Sequence, residues 1–177
     1  QIGELLDQMI TQATTVDGRA TIIVHGDENE ATAAADSGAY ASLMLVGDFN
    51  EGTSAVSGGR AKVVALGDEN SVLVLSEDST AAISTIGSDN VSTVASFDGS
   101  WVSSVVTGDR NSANADADGE SVARVVVLGD GNANAVSAED AGYSVSRILA
   151  ADSSSAATAF GGVAWAELVG DNSSAFV

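Results

Sequence analysis

The sequence predicts an all-β fold: a flattened, two-sided parallel β-solenoid of about eight coils with cross-β stacking. The first observation is a motif, Gly-x-x-Asn, that begins at Gly26, Gly47, Gly67, Gly87, Gly108 and Gly129. Two degenerate copies begin at Ala150 and Gly170, and successive copies start 20 or 21 residues apart. A constant period over most of a chain is typical of repeat architectures, in which each unit buries its apolar face against its neighbours.

The second observation is an apolar alternation on both sides of the motif. Ala20, Ile22 and Val24 precede the first motif glycine at every second position, and Val72 and Val74 follow the third motif in the same way. A period of two residues predicts strands with one buried face.

The third observation is a second glycine-rich break between successive motifs, for example Asp17-Gly18, Gly58-Gly59 and Asp98-Gly99. Such pairs supply the positive φ angles that tight turns need. One repeat therefore consists of a strand, a turn, a second strand and a second turn, which makes one coil. Stacked at about 4.8 Å, eight coils form a rod of about 38 Å. A three-sided coil of the same length is the alternative.

Two columns of the repeat carry the structural predictions. Six coils each have an asparagine at the same position of the repeat. This column predicts a ladder in which each side-chain amide bonds the next. Asparagine also tolerates turn conformations, and the two roles are compatible. The predicted ladder residues are Asn29, Asn50, Asn70, Asn90, Asn111 and Asn132. The predicted turn glycines are Gly26, Gly47, Gly67, Gly87, Gly108, Gly129 and Gly170.

Composition narrows the range of partners. The 177 residues carry a formal net charge of −19 with six basic residues, so nucleic acid is not an expected partner. Hydrophobic residues make up 45% of the chain, too many for a disordered acidic tail. No apolar run approaches the ~18 residues of a membrane span, so we expect no membrane insertion. Cysteine and proline are absent.

The two ends suggest assembly. Residues 17–177 form the predicted solenoid domain, and residues 1–16 form a separate segment. In that segment Ile2, Leu5, Leu6, Met9 and Ile10 have helical spacing. The segment is either a short capping helix or an arm or half-coil that pairs with a preceding subunit. After the last motif the sequence contains no capping element, which favours polymerisation of the chain with itself, head to tail. A first residue other than Met indicates a processed, secreted form.

An acidic column follows the motif glycine. Its members are Asp27, Asp48, Asp68, Asp109, Asp130 and Asp171. Like charges at this spacing repel by about 0.9 kcal/mol per neighbouring pair in water. The column consists either of solvated turn charges or, for Asp27 to Asp130, of ligands for calcium, which prefers oxygen donors. No other cofactor is expected. His25 is the one histidine, and we find no pattern typical of a catalytic site, so we do not expect an enzyme.

The outward positions of the first strand are less polar than a solvated face requires. Tyr40, Trp101 and Tyr143 share one column there. Five of the six basic residues also lie on this strand, namely Arg19, Arg60, Lys62, Arg124 and Arg147. An exposed apolar and basic stripe predicts a lateral contact between filaments. The alternative is that the N-terminal segment covers part of it.

The repeat resembles the curlin repeat of bacterial curli amyloid subunits. Gly26-x-x-Asn29-x-Ala31 and Gly108-x-x-Asn111-x-Ala113 match the Gly, Asn and Ala positions of that pattern at the family spacing. Two positions depart from it. The leading Ser is mostly Ala, as at Ala20, and the closing Gln is absent, so the Asn ladder transfers and the Gln ladder does not. The resemblance implies a secreted subunit that assembles into extracellular fibres of a biofilm matrix.

The function expected from the sequence is therefore a self-assembling structural subunit. The alternative is a monomeric ice-binding or ligand-binding β-solenoid. Ice binding favours a regular threonine array, and Thr32, Thr53 and Thr93 share a column that Leu73 and Asn114 interrupt. Ligand-binding or enzymatic β-helices usually have longer coils with a groove.

Overall fold

The computed structural model describes residues 10–140 and 142–177 and consists of two parallel sheets. Sheet A contains β1 (Ile10–Val16), β3 (Glu30–Asp36), β5 (Glu51–Ser57), β7 (Ser71–Glu77), β9 (Val91–Phe97), β11 (Ser112–Ala117), β13 (Ala133–Glu139), β15 (Ser154–Phe160) and β17 (Ser174–Phe176). Sheet B contains β2 (Arg19–His25), β4 (Tyr40–Val46), β6 (Arg60–Leu66), β8 (Thr80–Ile86), β10 (Trp101–Thr107), β12 (Val122–Leu128), β14 (Tyr143–Leu149) and β16 (Val163–Val169).

Each strand pairs in parallel with the strand one coil further along the chain. Leu43 of β4, for example, is the register partner of Val63 of β6. The chain alternates between the two sheets at every strand, so each coil has two sides. The predicted two-sided parallel solenoid is confirmed, and the three-sided alternative is wrong. In the described parts of the chain, no helix has the length and apolarity needed to cross a membrane.

The core is the thin layer between the sheets. Inward positions alternate along every strand, as the burial of Ala41, Leu43 and Leu45 in β4 shows. Most buried side chains are Ala and Val, so the two sheets approach closely. Gly52 is an inward position in β5 where an added Cβ would lie 2.8 Å from the side chains of both Leu43 and Leu45. Buried serines pair across the layer, with Ser92 Oγ 3.2 Å from Ser104 Oγ.

The sheet extends into the N-terminal segment that the sequence assigned to residues 1–16. β1 pairs with β3 over seven register partners, from Ile10 with Glu30 to Val16 with Asp36. Ala13 of β1 packs against the buried core. Residues 10–16 are therefore a half-coil that pairs within its own chain, and pairing of this segment with a preceding subunit stays a prediction. The rest of the segment, with Ile2, Leu5, Leu6 and Met9, lies outside the described residues.

Candidate functional site

The turn that contains the repeated motif, here called the Asn turn, joins each sheet B strand to the next sheet A strand. It always has four residues, at 26–29, 47–50, 67–70, 87–90, 108–111, 129–132, 150–153 and 170–173. The predicted turn glycines begin these turns with positive φ, for example 129° at Gly67. An added Cβ at Gly67 would collide with the carbonyl oxygen of Gly47 on the preceding coil. At Gly67, glycine is therefore favoured both by conformation and by contact between coils.

The predicted asparagines form a buried ladder, but its bonds differ from those predicted. The backbone N–H of Asn29 donates to Asn50 Oδ1 at 2.9 Å. The same bond joins Asn50 to Asn70, Asn70 to Asn90, Asn90 to Asn111 and Asn111 to Asn132, at 2.7–2.9 Å. The amide-to-amide bond of the prediction joins Asn29 Nδ2 to Asn50 Oδ1 at 3.0 Å. The side-chain oxygen therefore satisfies a buried backbone donor on the preceding coil.

The ladder continues where the motif degenerates. Asn132 N–H donates to Ser153 Oγ at 3.1 Å, and Ser153 N–H donates to Ser173 Oγ at 3.0 Å. A serine hydroxyl at this position accepts the same backbone bond as an asparagine oxygen. The degenerate repeats thus keep the hydrogen bond while they lose the residue type.

The acidic column forms a second ladder, which the sequence analysis missed. Asp48 N–H donates to Asp27 Oδ1 at 2.8 Å, and Asp68 N–H donates to Asp48 Oδ1 at 2.7 Å. Asp68, Asp109 and Asp130 accept equivalent bonds from Ser88, Asp130 and Ala151, at 2.6–2.9 Å. The bonds run from each coil to the preceding one, opposite to the Asn ladder. Aspartate at the second position of a repeated turn was the available signal, since a carboxylate can accept a bond from the backbone N–H of the next coil.

These backbone donors offset part of the repulsion within the acidic column, because each N–H places partial positive charge beside a carboxylate. Within residues 10–140 and 142–177, no group of three or more His, Cys, Asp or Glu side chains is arranged to hold a metal ion. The calcium alternative at Asp27, Asp48, Asp68, Asp109 and Asp130 stays a prediction.

The second turn, here called the Gly turn, joins each sheet A strand to the next sheet B strand. It varies in length: residues 58–59, 98–100 and 118–121 are examples with two, three and four residues. A short serine ladder, also missed from the sequence, crosses its central coils. Gly59 N–H donates to Ser79 Oγ at 3.2 Å, Ser79 N–H to Ser100 Oγ at 3.1 Å and Ser100 N–H to Ser121 Oγ at 3.2 Å.

The outward surface of sheet B, here called face B, is apolar and basic. The three predicted lateral-contact residues share one register column. In that column Tyr40 is half-buried, while Trp101 and Tyr143 are 44% and 41% exposed. Arg19, Arg60, Lys62, Arg124 and Arg147 are exposed on this face, as predicted. The Arg19 guanidinium stacks over the Tyr40 ring at 4.8 Å, and Arg147 pairs with Glu167 at 3.1 Å.

The outward surface of sheet A, here called face A, is acidic and carries side chains of mixed size. Its central columns contain Ala and Thr, including Ala34, Ala55 and Ala95, and also expose Leu73 and Leu75 (36% and 39%). Its acids are Glu30, Asp36, Glu51, Glu77, Asp116 and Glu139. The threonine column that ice binding would need follows Thr32 and Thr53 but is interrupted by Leu73 before Thr93. A shallow open groove of about 450 Å³ runs over Ala34 and Ala55.

A single ion pair lies in the Asn turns of the described residues. Arg110 Nη2 is 2.6 Å from Asp89 Oδ2, and both side chains are at the third position of adjacent turns. The hydrogen bond from Arg110 lowers the pKa of Asp89 below its ordinary value of 3.8, and the Arg110 charge adds to this effect.

Comparison with known proteins found no matching family model, no matching curated protein and no matching solved structure. The class of the protein is therefore defined by its own architecture. It is a parallel β-solenoid of about eight coils of about 21 residues, with a buried asparagine ladder.

Proposed function

We propose that this protein is a non-enzymatic structural subunit of an extracellular, curli-like fibre, and that copies add head to tail by stacking coil on coil. The observation that carries the proposal is the uniform contact between coils. Each internal contact consists of parallel strand pairing in both sheets and one rung of the Asn or Ser ladder in the Asn turn, so these bonds repeat from coil to coil.

The proposal requires that the edge of a coil can accept a coil of a second copy. In the described residues no strand pairs with the far side of β16, and β17 pairs with β15 over three residues only. Inward side chains that are fully buried in other coils, such as Val125 and Val127, correspond here to the half-buried Ala166 and Leu168. An unpaired parallel edge is a template for another strand. A second copy that stacked here would bury these side chains and pair the edge.

Electron microscopy of the purified protein at moderate salt, combined with fibre diffraction, tests the proposal. We expect long filaments and a meridional reflection near ~4.8 Å, which is the spacing of hydrogen-bonded strands. Discrete particles that stay monomeric at all concentrations would contradict it.

A variant of the open edge makes the test specific. Val163 N–H donates to Gly142 on the preceding coil, so the alternation of a parallel ladder turns the N–H of Ala166 toward the open edge. Ala166→Pro removes that donor and leaves the bonds to β14 intact, and we expect it to shorten or abolish filaments. Ala166→Ser keeps the donor and is the matched control. Filaments of equal length from both variants would argue against growth at this edge.

A further inference from the structure

We propose that face B of one copy docks on face A of a second copy, so that the rods stack side by side, front to back. This inference deepens the proposed fibre by naming the surfaces of lateral contact. Bundling of filaments rests on the proposed function. The contact between the two faces does not, because two unpolymerised copies present the same two faces.

Charge complementarity selects the partner. Among the described residues face B carries five basic side chains and one acid, Glu167, which gives +4. Face A carries six acidic side chains and no Lys or Arg in its described strands, which gives −6. Within a chain of net charge −19, face B is thus a local positive surface, and a second copy supplies the matching negative one.

Apolar surface on both faces points the same way, because the contact would bury it. Face B presents large side chains, among them Ile23 (57% exposed), Trp101 (44%) and Trp165 (48%). Face A presents small side chains at Ala34, Ala55 and Ala95 and larger exposed ones, among them Leu75 (39%) and Phe97 (42%). Strands of seven residues over eight coils give each face an extent of about 23 by 38 Å, or about 900 Å². A standard-sized interface buries about 800 Å² per partner, so one such contact is large enough to be stable.

The two symmetric alternatives are disfavoured. Face B against face B would oppose two sets of five cations, and face A against face A would oppose two sets of six anions. When face B of one copy contacts face A of another, one face A and one face B of the pair stay uncovered. Such a contact does not close, so it builds open stacks of rods.

The lack of cysteine allows a direct test by cross-linking. Ser103→Cys places one thiol on face B, and Ala95→Cys places one on face A. We would mix the two variants, one of them tagged, with a bis-maleimide that spans the ~10 Å between packed sheets. The expected product is a mixed pair, with few pairs formed by either variant alone. Mainly Ser103→Cys homodimers, or no more product than from a Glu28→Cys turn control, would overturn the proposal.

Charge reversal gives a second and independent readout. Lys62→Glu on face B should weaken pair formation, measured by sedimentation, by about tenfold or more, because it opposes like charges across the interface. Arg110→Glu makes the same charge change in a turn and should leave pair formation unchanged. The partner variant Asp116→Lys on face A should also pair poorly with itself, and a mixture of Lys62→Glu with Asp116→Lys should restore association. Equal effects of Lys62→Glu and Arg110→Glu, or no recovery in the mixture, would overturn the proposal.

The failures of the two proposals are distinguishable. End stacking determines filament length, whereas face stacking determines filament width and the cross-links of unpolymerised chains. If no filaments form but mixed cross-links do, the fibre proposal fails and the face contact holds. If the Lys62→Glu variant forms filaments of parental width, the fibre proposal holds and the face contact fails.

Discussion

Both turns of the coil connect the two sheets, but only the Asn turn has the same length in every coil. The Asn turn has four residues in every coil, whereas the Gly turn has between two and four. Coils with a two-residue Gly turn, such as the one containing Gly58 and Gly59, have a period of 20, and the longer Gly turns go with a period of 21. All of the variation in the repeat length therefore lies on one side of the rod.

The hydrogen bonds explain this difference. The Asn turn carries two ladders, one buried and one exposed, and each fixes the backbone of one coil against the next. The Gly turn has three serine rungs in its centre, and Ala39 occupies the same column without a hydroxyl. The comparison teaches that register along the rod is set mainly at the Asn turn. Three predictions test it, from the largest expected effect to the smallest, and a fourth concerns an ion pair of the Asn turn.

A single inserted residue should separate the two turns most clearly. One glycine inserted between Asp68 and Glu69 displaces the rungs of both ladders, and we expect a loss of more than about 3 kcal/mol in the free energy of unfolding, because each unsatisfied N–H costs ~1–3 kcal/mol. One glycine inserted between Gly58 and Gly59 yields a three-residue Gly turn, which other coils already have. That change should cost less than about 1 kcal/mol. Urea denaturation measures both, and similar losses would refute the difference.

Alanine in place of glycine should also distinguish the turns. In Gly87→Ala the new Cβ would collide with the carbonyl oxygen of Gly67, at a φ of 137°. We expect a loss of about 3 kcal/mol or more, the upper end of backbone strain plus a contact that cannot relax. Gly99→Ala in the Gly turn has a φ of 77° and its nearest atom at 3.9 Å. It should cost about 1–2 kcal/mol, the left-handed conformational penalty alone. Thermal unfolding compares the two, and a Gly99→Ala loss as large as that of Gly87→Ala would refute the contact argument.

Removal of one rung from each ladder should show a smaller difference. Asn90→Ala leaves the buried N–H of Asn70 without its acceptor, and we expect a loss of about 2–3 kcal/mol. Ser100→Ala removes the acceptor of Ser79 N–H, but Ala39 shows that the Gly turn forms without a hydroxyl. We expect about 1 kcal/mol there. Hydrogen exchange at the amides of residues 70 and 79 reports each lost bond directly, and unchanged exchange at Asn70 in the Asn90→Ala variant would contradict the ladder.

The weakest expected effect concerns the exposed pair of Arg110 and Asp89. The hydrogen bond from Arg110 holds the pKa of Asp89 below 3.8, so the pair stabilises the fold above the pKa of the unfolded chain. That contribution is lost as pH falls through the lower pKa of the folded state. Arg110→Gln should raise the Asp89 pKa in a carboxyl NMR titration, while Lys62→Gln on face B should leave it unchanged. An Asp89 pKa that is the same in Arg110→Gln and the parent would exclude the pair.

The sequence predicted the coil, its two sides and the positions of the asparagines, because strand alternation and turn glycines leave local signals. Asn29 and Asn50 could be placed in one column by counting alone. The atoms that form the bonds could not be predicted in this way. The Asn oxygen accepts from a backbone N–H, and the direction of that N–H depends on the turn conformation, which includes a positive φ of 58° at Glu28. The Asp ladder was missed for the same reason, since solvated and bonded carboxylates look alike in sequence.

The opposite directions of the two ladders in the Asn turn make the rod polar, so that its two ends differ. A coil offers asparagine oxygen acceptors toward one end and aspartate acceptors toward the other. If one rod were turned over before it met another, carboxylates would face carboxylates and N–H groups would face N–H groups. Any array that grows by this contact is therefore unidirectional, and its two tips are chemically different surfaces that a growth inhibitor or a nucleating surface could tell apart.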